Sequence, residues 1–251
     1  MRSATQVTPT EGIPVPSPGE PSAVDPTRKT AVVAGVLFII ATVAVVVAAA
    51  LTPVLTGTDY LSRLSAHPNQ AAGGAFFYLI AAFASAGIAV ALYPVLKKTD
   101  AGLALGSVVF RALEAAMYMV AVVALLSLLT LGQQFTSAGT ADRTSPQTIG
   151  DQLVSVRNHA SLLGVFAFCV GAFIYYCLFY RSRLIPRWLS GWGIVAIVLM
   201  LAACMAALVS DNPVTGYVPL AIPIAVQEMV LAVWLIAKGF KSGRGRSETG
   251  R

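Results

Sequence analysis

The stretch from Leu103 to Leu131 is long and apolar enough to cross a bilayer, yet it carries Arg111 and Glu114 well inside it. A charged side chain at the centre of a membrane helix costs about 2.5–3.5 kcal/mol on insertion scales, so the two charges demand partners, and partners demand other helices around them. Five further apolar runs supply those helices: Ala31 to Leu51, Ala71 to Leu92, Ala160 to Tyr180, Ser190 to Val209 and Tyr217 to Ala237. Each matches the roughly 20 residues needed to span about 30 Å of hydrocarbon. A backbone in lipid must satisfy its own hydrogen bonds, so each run is expected to be a helix. The fold class that follows is all-α, a polytopic membrane protein built as a six-transmembrane-helix bundle over residues 28–240.

Composition points the same way. Hydrophobic residues make up 57% of the chain and charged residues 11%, and the mean hydropathy is +0.76, outside the balance of soluble domains. Residues 1–27 hold six prolines among Ser, Thr, Gly and Glu and bury too little apolar surface to offset their ordering entropy, which predicts a disordered tail. A short basic tail occupies 241–251. The first apolar run is longer than a signal-peptide core and follows a long leader, so it reads as an uncleaved anchor.

The distribution of cations sets the expected orientation. Thirteen of the seventeen Lys and Arg residues precede the first run, follow the last or fall in the connections after the second and fourth runs. Only Arg63, Arg143 and Arg157 fall in the other connections, and Arg111 lies inside a run. The positive-inside rule then places both termini in the cytoplasm of a protein of the cell membrane. The net charge of +6 is a topogenic signal and does not call for a nucleic-acid partner.

The outer connections hold more than turns. Pro146 with Ile149, Leu153 and Val156 predicts an amphipathic helix over 145–159 lying on the outer surface, and Asp59 to Leu64 a shorter one. Asp59, Arg63, His67, Asp151, Arg157 and His159 come to that face without metal-ligand spacing. At the other end Tyr93-Pro94 is expected to close the second helix. Tyr93, Arg187, Trp188 and Trp192 combine aromatic rings and a cation suited to the headgroup region, as interface anchors. Small residues at helical spacing, Ala82 with Ala86, Ser85 with Ala89 and Ala167 with Gly171, predict close helix contacts.

Four segments, ALYPVLKK at 91–98, FRALEA at 110–115, LIPRWLSGWG at 184–193 and QEMVLAVWLIAKGF at 227–240, resemble in order and spacing a prokaryotic family of small membrane proteins, domain of unknown function 4386. The resemblance covers about residues 28–240 and implies a six-helix bundle whose motif positions include Arg111, Glu114, Pro186, Trp188, Trp192 and Glu228. It implies no activity, and the amino-terminal tail lies outside it.

No HExxH, GxSxG, Walker-type loop, GxGxxG or paired-cysteine motif is present, and Cys169, Cys177 and Cys204 sit singly inside apolar runs. No catalytic, cofactor-binding or metal-binding residues are therefore assigned. The chemistry concentrates in an intramembrane cluster of Arg111, Glu114 and Glu228. Arg111 and Glu228 lie at matching depths of about 15 Å, making Glu228 the leading partner of Arg111, while Glu114 is an i, i+3 neighbour on the same helix. The first reading of the cluster is a polar clasp in a non-catalytic binding or scaffold protein whose partners are the bilayer and a lipid or membrane protein. The second is a small-solute or proton-coupled transporter using Glu228 and Glu114, with Pro219 and Pro223 loosening the last helix. The third is an intramembrane enzyme acting on a lipid.

Overall fold

The computed structural model describes residues 26–52, 55, 57–137, 144–210 and 213–241. Its elements are α1 (Pro26–Leu51), α2 (Tyr60–Ala66), α3 (Pro68–Leu96), α4 (Ala101–Ser137), α5 (Thr144–Ser182), α6 (Arg187–Ser210), a single 3₁₀ turn (Val214–Tyr217) and α7 (Val218–Ala237). Six of these, all but α2 and the 3₁₀ turn, are long and apolar enough to cross a membrane, so the chain has the architecture of a multi-pass membrane protein. No strand occurs among the described residues. The tail expected at 1–27 lies outside the described residues as far as residue 25, whereas Pro26 and Thr27 already belong to α1. The basic tail lies outside them beyond Lys241, and so do Arg143, Asp211 and Asn212.

The six spans form a closed ring in chain order. α1 packs on α3, α3 on α4, α4 on α5, α5 on α6 and α6 on α7, and α7 returns to α1. Both ends of the described chain therefore meet at one end of the bundle, with the α3–α4 turn and the α5–α6 turn. The latter begins at Arg183, whose φ of 55° is left-handed, and α6 starts just after Pro186. The interior of the ring is filled by Phe38 from α1, Tyr175, Tyr176 and Phe179 from α5, Ile197 from α6 and Leu231 and Leu235 from α7. Tyr175 meets Phe38 edge-on at 6.2 Å between centroids. Cys169 and Cys204 are buried in this core as free thiols, and Cys177 is half-buried.

Three boundaries depart from the sequence reading. The 145–159 stretch is not a separate surface helix: it is the first part of α5, because the polar Arg157-Asn158-His159 break the hydropathy but contain no helix breaker. Leu153 packs on a neighbouring cluster, while Ile149 and Val156 stay exposed. Pro94 does not end α3, which continues to Leu96. A proline in the last turn removes only one backbone bond, and Lys97 N–H still reaches the Tyr93 carbonyl at 2.9 Å. Finally, α4 with 37 residues and α5 with 39 rise roughly 55 Å or more, far beyond a hydrocarbon core of about 30 Å. Their adjoining ends project from the bundle and hold α2, whose Tyr60, Leu61 and Leu64 form a second core with Ala71, Val122 and Leu125.

Candidate functional site

Arg111 stands on α4 and is almost completely buried, 2% exposed, as is Glu114 at 3%. One helical turn apart, they form an ion pair with Nη1 to Oε2 at 2.9 Å. The guanidinium is held from both neighbouring helices. Its Nε–H donates to the Ser85 carbonyl of α3 at 3.4 Å, and its carbon lies 5.0 Å from the centroid of the Phe168 ring on α5. Gly171 makes room for the stem, since a Cβ at that position would lie 3.1 Å from Arg111 Cγ. One turn before Arg111, Ser107 Oγ donates to the Gly171 carbonyl at 3.2 Å, a second tie between α4 and α5. The small-residue positions Ala82, Ser85 and Ala89 on α3 and Gly171 on α5 are all buried, which brings the three backbones close.

Glu228 on α7 is half-buried and takes its hydrogen bond from another source: Tyr175 Oη donates to Oε1 at 3.2 Å. Among the described residues, the Arg111 cation closes to ion-pair distance only on Glu114. Depth along the sequence points to Glu228 as the leading partner of Arg111, whereas its direct partner is Glu114. Equal depth fixes the height of two residues in a bundle but not the direction in which each points. α4 and α7 are not neighbours in the ring, and Glu228 takes the α5 tyrosine as its donor instead.

Beside it, Tyr176 Oη donates to Gln227 Oε1, and Gln227 Nε2 donates to the Leu189 carbonyl of α6 at 3.0 Å. Both Tyr176 and Gln227 are wholly buried. Two polar groups thus lie inside the bundle, Arg111 with Glu114 and the Ser85 carbonyl, and Tyr175 with Glu228, with the Tyr176–Gln227–Leu189 tie pinning α6. Sequence reasoning missed Tyr175, Tyr176 and Gln227. The signal that could have found them is an adjacent pair of tyrosines several residues inside an apolar run, with a glutamine next to an intramembrane acid.

The expected anchors occupy the end of the bundle where α1 begins and α7 ends. Tyr93 is half-buried with Lys97 Nζ 5.5 Å from its ring centroid, and Arg187 stands 5.2 Å from the Tyr180 ring. Trp188 is exposed, 57%, whereas Trp192 packs against the core. At the opposite end Asp151 accepts from Tyr60 and from Gln147, Arg63 pairs with Asp59 at 3.4 Å, His159 meets Ser155 at 3.3 Å, and Arg157 lies over the Tyr78 ring. His67 caps the junction of α2 and α3. Among the described residues no group of three His, Cys, Asp or Glu side chains has the arrangement of a metal site.

Comparison with curated proteins finds no match, and comparison with solved structures finds none either. The sequence profile of one family, described as a domain of unknown function, DUF4386, matches residues 33–239, which takes in five spans whole, most of the first, and all residues of these polar groups. The chain belongs to the domain of unknown function 4386 family.

Proposed function

We propose that the chain is a non-catalytic membrane binding or scaffold protein of the cell membrane with both termini in the cytoplasm, and that Arg111, Glu114 and Glu228 are the clasp that fixes its helices. The observation that carries this reading is the Arg111–Glu114 pair, 2.9 Å apart and closed in by an α3 carbonyl and an α5 ring. A group that relays protons or solutes needs a route from water, and a guanidinium enclosed by three helices favours a structural role. Buried ion pairs add little net stability, and this one lies within α4; the helices are tied by the bonds around it, from Arg111 to the Ser85 carbonyl of α3, from Ser107 to the Gly171 carbonyl of α5 and from Tyr175 of α5 to Glu228 of α7. The orientation rests on thirteen cations at one end against three at the other.

The transport reading has one observation in its favour. Glu228 is half-buried and bonded to a neutral phenol, with no cation at ion-pair distance among the described residues, which suits a carboxyl that takes up and releases a proton. Vesicles reconstituted with the protein and loaded with a pH-sensitive dye separate the two. Under a proton gradient and a panel of solutes, the clasp reading expects the same proton leak as empty vesicles. Solute-dependent proton movement abolished by Glu228→Gln overturns it.

A further inference from the structure

At the end of the bundle where the chain termini meet, a cavity of about 600 Å³ opens between α1, the α3–α4 turn, the end of α5 and the end of α7. Arg28, Lys98, Lys238 and Lys241 line it, with the hydroxyl-bearing Thr99 and Ser182 and, among the described residues, no Asp or Glu. The three lysines are exposed, and none makes an ion pair among the described residues.

The cavity is held in shape by its own backbone. Arg28 donates to the carbonyls of Leu235, Ile236 and Ala237 at 3.2, 2.6 and 3.4 Å, capping α7 with a cation where its dipole is negative. Gly239, at φ 70°, then turns the chain, and Lys241 N–H reaches the Leu184 carbonyl across the α5–α6 turn at 2.8 Å. A Cβ at Gly239 would be strained by that φ and would lie 3.1 Å from Arg28 Nη1, so this turn needs glycine.

A second depression, about 380 Å³, adjoins the first and shares Lys238 with it. Met229, Val230, Val233, Trp234 and Ala237 line it along α7, and Val233 is 61% exposed. Lys238 Nζ sits 4.6 Å from the centroid of the Trp234 ring, at the junction of the cationic cavity and the apolar groove.

We propose that this pair of cavities is a binding site for an anionic glycerophospholipid, with the phosphodiester among Arg28, Lys98, Lys238 and Lys241 and an acyl chain along Met229, Val233 and Trp234. Four cations from three segments, converging without an acid among the described residues, match a phosphate anion, which a free phosphate shares with a lipid headgroup. The adjoining apolar groove selects the lipid, because a free anion has nothing to place there. The proposed orientation puts the site in the cytoplasmic leaflet. The inference builds on the reading of the bundle as a membrane binding protein and supplies its ligand class.

The test uses the full chain in maltoside micelles, with lipid binding counted by native mass spectrometry and melting followed on titration of phosphatidylglycerol, phosphatidylcholine or inorganic phosphate. Phosphatidylglycerol is expected to bind and raise the melting temperature, while the other two do neither. Lys98→Gln/Lys238→Gln/Lys241→Gln should weaken phosphatidylglycerol binding by about a hundredfold. Val233→Trp, which fills the groove from its lipid face, should weaken it while leaving the cations in place. These positions are exposed, so the variants are expected to fold, and Arg28 is left intact to cap α7. Equal binding of phosphatidylcholine, protection by inorganic phosphate alone, or full phosphatidylglycerol binding by both variants overturns the proposal. Glu228→Gln, the near-isosteric variant of the flux assay, is the separating control: it keeps lipid binding if this site is correct, whatever the flux assay says of the clasp.

Discussion

The Tyr175 hydroxyl donates to Glu228 Oε1 at 3.2 Å, and this bond links α5 to a helix with which its backbone makes little contact. It also gives the half-buried acid of α7 a neutral donor in place of the Arg111 cation. Interhelical hydrogen bonds in membranes are worth about 0.6 kcal/mol on average and up to about 1.7. Tyr175→Phe should therefore lower stability in detergent by about 0.5–1.5 kcal/mol. Against a Glu228→Leu background the same change should cost almost nothing, because the acceptor is already gone. Equal losses in both backgrounds would mean that the hydroxyl acts elsewhere.

Arg111 and Glu114 should be strongly coupled. Arg111→Met leaves a buried carboxylate without its cation, a change of about 3–5 kcal/mol for buried pairs, and Arg111→Met/Glu114→Leu should recover most of that loss. The corresponding cycle between Arg111 and Glu228 should give the smaller coupling, since no ion pair joins them. A larger coupling to Glu228 than to Glu114 in thermal melts would reverse this assignment of partners.

Much of this architecture is legible in the sequence because membrane physics leaves few choices. Runs such as Ala31 to Leu51 and Ser190 to Val209 have only the helix open to them, and the i, i+3 spacing of Arg111 and Glu114 already allows their pair. Packing direction is less legible. Depth alone aligned Glu228 with Arg111, but the ring order sets α5 between them, and nothing local to Tyr175 or Tyr176 distinguishes a tyrosine that bridges helices from one that fills space. Hydropathy also misplaced the start of α5, since it reports where a helix leaves lipid and not where it ends.

Orientation can be tested by labelling. With the native cysteines replaced by alanine, a cysteine at Ser65, beside the α2–α3 junction, should react with a membrane-impermeant maleimide on intact cells. One at Lys97, in the α3–α4 turn, should react only after the membrane is opened. The opposite pattern would invert the topology and place the four-cation cavity in the outer leaflet.

The projecting end should be sensitive to alkali through one phenol. Tyr60 Oη donates to Asp151 Oδ1 at 2.9 Å, tying α2 to α5, and Gln147 Nε2 donates to the same oxygen at 3.2 Å. Burial first, and then the hydrogen bond and charge of Asp151, hold the Tyr60 hydroxyl well above its ordinary pKa of 10.0. The folded state keeps this proton after an unfolded chain has released it. The stability it contributes is therefore complete below about pH 10 and is lost as pH rises through the raised value. At pH 8 Tyr60→Phe should be less stable than the wild type by about 0.5–1.5 kcal/mol, the worth of one hydrogen bond. Above pH 10 the wild type should lose melting temperature faster than the variant, so that the two converge, and trypsin cleavage at Arg63 should rise with the release of α2. Melting curves that remain parallel from pH 8 to pH 11 would show that the phenol does not hold α2 by its proton, leaving Leu61 and Leu64 as the contacts that seat it.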